Sequence, residues 1–479
     1  MYYFSAWLTA LAGFALADMG THSSDRFVDT THPTEHRANS STRSHSSRQC
    51  HGSSFIPDHV LRITYETVSI ACQTRPSVLV NGTTPGPALR LQPGKTSWIR
   101  VYNDMDQYNT TMHWHGLSQR TANFSDGTPQ AAQWPIAPKH FFDYEVHPEE
   151  DDAGTYFYHS HVGFQAVSCN GPLIVEDAGE PPYAYDEEQI IQLTDYFNRT
   201  DDSIEQGLTA DQFVWSGETN AVLINGVGVA DGETAGRGDC KLPVISVEPG
   251  KVYRWRFIGS TALSMVQLGI VDHSNLTIIA ADGRYTKPYE VDFVQLSTGQ
   301  RFDVIFQARS SDEMDGQSEH LVQFETKDRP SVYRGYGVLR HSNNTGNITT
   351  KPSEPPLTLS NATYDWLEYA FEPLQPNNFP TADQVTRHVQ IHGRQYLTTT
   401  DIWRLNGLQW NESTPPLDIP YLVNIYEKGQ AAMPNYDAAL ANNGWDPKTY
   451  TWPAKIGEAS PSISAADTNE LTNRPRSSK

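Results

Sequence analysis

Cysteine is scarce: 479 residues hold four, at Cys50, Cys72, Cys169 and Cys240, and none lies beyond 240. None falls in a Cys-x-x-Cys or Cys-x-His arrangement, which argues against a thiolate metal or redox motif. In an oxidising compartment they read as disulfides, and the sequence alone allows three connectivities. Basic residues are also in short supply, with 35 Lys plus Arg against 56 Asp plus Glu and a net charge of −21. Nucleic acid and anionic membrane both require basic patches, so neither is expected as a partner. No apolar run reaches the roughly 20 residues of a bilayer-spanning helix. Helical periodicity is too sparse for an α/β fold. What remains is a chain long enough for two to four domains, with 11% aromatic and only 19% charged residues. That composition suits sheet-rich globular domains rather than disorder.

The N-terminus points to export. Residues 1–17 contain the apolar run Ala6 to Ala17, ending in Ala15-Leu16-Ala17, the small-x-small signature of a cleaved signal peptide. Sequons at Asn81, Asn109, Asn123, Asn275 and Asn361 agree with a secreted, extracellular glycoprotein. Residues 18–57 are rich in Ser, Thr, His and Arg without apolar periodicity, and are expected to be a flexible arm.

From residue 58 the chain is strand-like and repeats itself. "LRLQPGKTSWIRV" (89–101) has a counterpart in "ISVEPGKVYRWRF" (245–257). In each, a Pro-Gly-Lys turn separates two alternating apolar runs and predicts a hairpin. Upstream lie "VLVNG" (78–82) and "VLING" (222–226), and "WRLNG" (403–407) is a third copy. The expected fold is all-β: tandem Greek-key β-sandwiches over 58–180 and 185–345, and an incomplete third over 360–479. The third is expected to be incomplete because its sequence becomes polar and Ser-rich from about 457.

Two histidine pairs carry the chemistry: His113 and His115 in "HWHG", and His159 and His161 in "YHSH". In a strand, residues i and i+2 share a face about 6.6 Å apart. Each pair therefore projects together, with Trp114 and Ser160 turned away. Two such strands side by side gather four imidazoles, which when neutral are good ligands for copper or zinc. The alternative for one pair alone is ordinary hydrogen bonding; two pairs in one domain favour metal. His388 and His392 are a lone i, i+4 pair without partners and read as structural. His140 and His147 read as surface residues, and His22 to His51 as arm residues that take metal only adventitiously.

The stretches "HWHGLSQRTANFSDGTPQAAQWPIAP" (113–138) and "AGTYFYHSHVGFQAVSCNGPLIVED" (153–177) resemble the first-domain copper motifs of multicopper oxidases. The likeness is strongest to the fungal ascorbate-oxidase-like and laccase-like members. It continues through "AADGRY", "STGQRFDVIF" (297–306) and "NNGWDPKTYTWPAKIGE", covering roughly 58–458. The resemblance implies cupredoxin-like sandwiches and a small-molecule reductant (ascorbate, a phenol or a phenolic secondary metabolite) whose electrons reduce O2 to water. It implies that His113 binds a type 2 copper, that His115 and His159 share one type 3 copper, and that His161 binds the other. Asp126, in "SDG", matches an acidic residue near the cluster that assists proton delivery; its plain reading is a turn Asp before Gly. The resemblance favours a Cys72–Cys240 bridge between the first two domains, with Cys169 as a competitor because laccases use a nearby position. Trp134 stands where many relatives have a bridging Cys.

The departures are equally specific. The remaining trinuclear ligands and all type 1 ligands of the family lie in HPxHxHG-like and HCHxxxH-like motifs, and neither motif occurs here. A blue type 1 site needs a thiolate with two imidazoles, and the type 1 ligands are not found. The expectation is weak or absent oxidase activity. The rival reading is a non-enzymatic, secreted copper-binding paralogue.

Overall fold

The computed structural model describes residues 51, 54–236, 240–314, 316–341, 348, 350–361, 370–377, 379–397, 401–409, 419–459 and 462–467. The expected signal peptide, Cys50, most of the arm and the end of the polar tail lie outside the described residues.

Eight strands build a first sandwich. β1 (His59–Ile70), β2 (Gln73–Val80), β4 (Ser97–Asn103) and β6 (Phe141–Val146) form one sheet, and β3 (Leu89–Leu91), β5 (His113–His115), β7 (Gly154–His159) and β8 (Asn170–Val175) the other. The orders are β2-β1-β4-β6 and β3-β8-β7-β5. Alternating apolar residues from both sheets meet in one core: Ile63, Ile99 and Val101 from one side, Trp114, Tyr158 and Leu173 from the other.

A second sandwich repeats the plan. Its larger sheet holds β9 (Glu187–Tyr196), β10 (Ala221–Ile224), β12 (Val252–Gly259), β14 (Leu276–Ala281), β15 (Arg284–Val291) and β17 (Arg301–Gln307). Its smaller sheet holds β11 (Val244–Ser246), β13 (Met265–Ile270), β16 (Phe293–Leu296), β18 (Glu319–Lys327) and β19 (Arg334–Arg340). The orders are β10-β9-β12-β17-β14-β15 and β11-β19-β18-β13-β16. The parallel pair β1/β4 recurs as β9/β12, and β3/β8 recurs as β11/β19. By this correspondence β5, β7 and β8 match β13, β18 and β19. Further along, β20 (Val389–Leu397), β21 (Asp401–Leu405) and β22 (Ser462–Asp467) form one sheet in the order β21-β20-β22.

The three Asn-Gly copies fold alike. Asn81-Gly82, Asn225-Gly226 and Asn406-Gly407 all have positive φ at both residues, between 49° and 79°. This is the pairing that tight two-residue turns require, and Asn and Gly tolerate it best. Each Asn side chain then extends the sheet. Its Oδ1 accepts from the backbone N–H of Arg62, Gln192 or His392 at 2.7, 2.8 and 2.7 Å. The repeat legible in the sequence is a repeat of hydrogen bonding.

The Pro-Gly-Lys segments depart from the expected hairpin. β3 and β4 belong to opposite sheets, as do β11 and β12. The turn is an arch over the end of the sandwich. Leu91 and Ile99 both face the shared core from opposite sides. Alternation is the same in both arrangements, so it does not distinguish them. The end of the expected flexible arm also differs. His51 stacks on Phe55 at 3.5 Å and its Nδ1 lies 3.0 Å from Asp143 Oδ2, so this histidine is packed on the first sandwich.

The two sandwiches are joined covalently and electrostatically. Cys72 and Cys240 form the disulfide, while Cys169 is a free, fully buried thiol in the first core. Asp303, 1% exposed, accepts from Arg254 at 2.6 Å and lies 3.3 Å from Arg256 Nη1. Thr155 of β7 donates to the same carboxylate, so the buried cluster spans both sandwiches. Burial alone would raise the Asp303 pKa, but Arg254 and Arg256 hold it below the usual range.

Candidate metal centre

β5 and β7 pair antiparallel with His113 opposite His159 and His115 opposite Phe157. The period-2 rule then sets the faces. Trp114 points into the core at 0% exposure, and Ser160 is buried at 1% with its hydroxyl donating to Gln165 Oε1 at 2.8 Å. The histidines turn the other way. His113 lies 5.8, 5.4 and 5.6 Å from His115, His159 and His161 between ring centres, and His115–His159 and His159–His161 are at 5.5 and 6.0 Å. All four imidazoles singled out in the sequence are thus brought together. His161 lies just past the end of β7 and takes its place from the following turn.

His113, His115 and His159 are each oriented. The loop after β5 wraps back over the strand. Trp114 Nε1 donates to the Ser125 carbonyl at 3.0 Å, and His113 Nδ1 meets the Asp126 carbonyl at 2.6 Å. Gly127 permits this: its φ is +81°, and a Cβ there would sit 1.9 Å from the Met112 carbonyl oxygen. His159 Nδ1 meets the Ser160 carbonyl at 2.9 Å, leaving Nε2 turned to His115. His115 stacks on Phe157 at 4.4 Å and presents Nδ1 to His159 Nε2 at 3.3 Å. Two nitrogens bound to one tetrahedral ion at about 2.05 Å stand about 3.4 Å apart, so this pair has the spacing of a shared ion. Backbone carbonyls that fix the tautomer of the ligand are the usual support of such sites.

The electrostatics agree. Burial foremost, then neighbouring imidazoles, holds His115 and His159 well below the ordinary histidine pKa, and His161 at about 4. At neutral pH these rings are uncharged, with lone pairs available to metal. Asp126 sits beside the group: its Oδ1 is 3.5 Å from His113 Nδ1, and its Oδ2 accepts from Thr128 at 2.9 Å.

The second sandwich closes the site. Gly299, with φ +86°, lies against His115, and a Cβ there would stand 2.8 Å from Cε1 and Nε2 of the ring. Arg301 braces this loop by donating to the Gly299 carbonyl at 2.8 Å and the Thr155 carbonyl at 3.0 Å. Both residues lie in "STGQRFDVIF", but docking against His115 leaves no mark in local pattern. α1 (Asp201–Thr209) and α2 (Tyr421–Lys428) are among the few helices. The first two N–H groups of α2 donate to the carbonyls of Gln130 and Ala131 at 2.9 Å, so it caps the loop that follows β5.

The other histidines fall as follows. His388 and His392 are exposed, as is His140. His147 is half-buried and bonds Thr96 Oγ1 at 2.9 Å. A second triad, His273, His320 and His341, was not legible as a group, because its members share no short spacing.

Comparison with known proteins places these observations. Multicopper oxidase family models match residues 62–180 and 187–343. The chain is 48% identical to laccase-like multicopper oxidase 1 of Thermothelomyces thermophilus, over 85% of this chain and 70% of that protein. It is 47% identical to multicopper oxidase aurL2 of Gibberella zeae, over 85% and 71%. The crystal structure of a laccase from Botrytis aclada superposes with a TM-score of 0.64 at 25% identity, covering 78% of this chain and 67% of that one. With paired all-β sandwiches, two such model matches and relatives this similar over most of its length, the chain belongs to the multicopper oxidase family.

Proposed function

We propose that His113, His115, His159 and His161 are the first-sandwich half of a copper cluster that reduces O2 with electrons from a small-molecule reductant. The observation that carries the reading is the 3.3 Å approach of His115 Nδ1 to His159 Nε2, each ring with its other nitrogen directed elsewhere. In this reading His115 and His159 would hold one type 3 copper, His161 the other, and His113 the type 2 copper. Bound copper would supply the redox chemistry; the protein's part is to hold neutral imidazoles in place and to exclude water with Phe157 and Gly299. Asp126 is the acidic group that relays protons at the edge of the cluster, since its carboxylate is the one beside His113. Ascorbate, a phenol or a phenolic metabolite is the reductant in this reading, in keeping with the laccase-like relatives. Secretion and glycosylation belong to the same reading and rest on the N-terminal apolar run and the sequons. So does the division at 58–180, 185–345 and 360–479, of which the two closed cores support the first two units.

No cysteine in these 479 residues stands in the HCHxxxH-like motif that supplies a type 1 site with its thiolate and imidazole ligands. This polypeptide by itself therefore holds copper through its imidazoles alone and oxidises reductants weakly or not at all. Reconstituting the purified chain with Cu²⁺ and recording its spectra and O2 uptake tests both parts. Retained copper bound by nitrogen, without a blue band and with background O2 uptake, is the expected result. A blue, active protein overturns the second part, and a metal-free one the first.

A further inference from the structure

We infer that the second sandwich carries its own metal site, a mononuclear centre for a divalent ion of the zinc class, held by His273, His320 and His341. One ring nitrogen from each lies within 4.8 Å of the others. Ring centres are 4.5 Å apart for His273–His320, 5.2 Å for His273–His341 and 5.6 Å for His320–His341.

The placement follows from strand register. β18 pairs with β13 on one side and β19 on the other. His273 lies in the turn after β13, His320 is the second residue of β18, and His341 directly follows β19. Three neighbouring strands thus deliver one imidazole each to the same end of the sheet. In the first sandwich, the corresponding strands β5 and β7 gather their histidines around His113 and His159, at the start of β5 and the end of β7. The second triad occupies the opposite pole: the end of β13 and the start of β18. It is therefore a separate site and not a duplicate of the first.

The chemistry points to a ligand. His320 and His341 are 1% and 0% exposed. His273 Nδ1 lies 3.0 Å from the Val271 carbonyl, which fixes its tautomer and leaves Nε2 as an acceptor. That Nε2, Nε2 of His320 and both ring nitrogens of His341 are enclosed without a hydrogen-bond partner. Four enclosed nitrogens without partners are costly in a packed interior. A bound cation takes one nitrogen from each ring, three of these four. Phe306 covers the group, 5.6 Å from His273 and 6.4 Å from His341. Asp272, with Oδ2 3.4 Å from His320 Nδ1, supplies a nearby carboxylate as fourth ligand or counter-charge. Arg309 is the opposing charge; its guanidinium donates to the Asp272 carbonyl. Burial keeps all three rings neutral, with His273 and His341 at about 4. Three imidazoles and an oxygen ligand are a donor set that zinc accepts.

The test uses the full chain with His113, His115, His159 and His161 all changed to Ala, stripped with a chelator. Titration with Co²⁺, a coloured substitute for zinc, should give one equivalent with the intense visible bands of four-coordinate cobalt, displaced by Zn²⁺. Adding His320→Gln and His341→Gln should abolish that equivalent. If those two variants do not fold, the first titration still decides, because it leaves the second triad intact. No cobalt bands and no zinc uptake in the first protein would overturn the inference. So would a folded six-site variant that still binds one equivalent.

Discussion

His113 Nδ1 stands 2.6 Å from the main-chain carbonyl of Asp126, closer than to that residue's own carboxylate at 3.5 Å. Orientation of the ring therefore comes from the backbone, and the side chain is left for another task. Asp126→Asn should keep the copper affinity of the chain within about tenfold, whereas losing the orienting carbonyl belongs to changes that cost about 10–100-fold. Gly127→Ala is such a change, since its Cβ would collide with the Met112 carbonyl and its φ of +81° disfavours any side chain. Copper affinities of the two variants by competition titration decide this. Equal losses in both would refute the assignment of orientation to the main chain.

Gly299 offers a second check on how the site closes. Any Cβ there presses on His115, so Gly299→Ala should weaken copper binding while leaving the first core intact. The His113→Ala variant, whose imidazole is lost outright, sets the scale. If Gly299→Ala bound copper as the wild type does, the second sandwich would have no part in the centre.

Trp114 separates core from site. It fills the first core at 0% exposure and its Nε1 donates to Ser125. Trp114→Ala should cost about 3–5 kcal/mol of stability. Denaturant unfolding measures this.

Removal of Asp303 should destabilise more broadly. It leaves Arg254 and Arg256, both 1% exposed, without their shared carboxylate. Breaking a buried pair from one side costs about 3–5 kcal/mol. Asp303→Ala should lower the midpoint of chemical unfolding accordingly, and an unchanged midpoint would show that the cluster spanning the two sandwiches contributes little.

Acid sensitivity follows from the buried imidazoles. In the metal-free protein His161, His273 and His341 sit at about 4 instead of the ordinary 6.5, with burial as the main cause. Above 6.5 neither folded nor unfolded chain binds these protons. Between 6.5 and about 4 the unfolded chain binds them and the folded one does not, so stability falls as pH falls, levelling off below. Urea midpoints across that window, with chelator present, should decline steadily. A flat profile would mean that these rings are not buried as described.

Much of this was legible from local pattern. Asn-Gly flanked by apolar alternation is a local instruction, and all three copies obey it. His-x-His in a strand fixes a shared face, and Trp114 between the first pair marks the face that is buried. What was not legible is long-range. The arch at Pro93-Gly94 has the same alternation as a hairpin and differs only in which sheet each strand joins. Gly299 and Arg301 act through docking of one sandwich on the other, and no local pattern encodes that. His273, His320 and His341 meet only because three strands end together. Spacing along the chain does not register such a meeting.

The most direct test of the account is the copper retained per chain after reconstitution and dialysis, comparing the wild type with His115→Ala/His159→Ala. The account expects the variant to lose the ion shared by those two rings, and with it copper that the wild type keeps. Equal copper in both proteins, each shown to be folded, would contradict it.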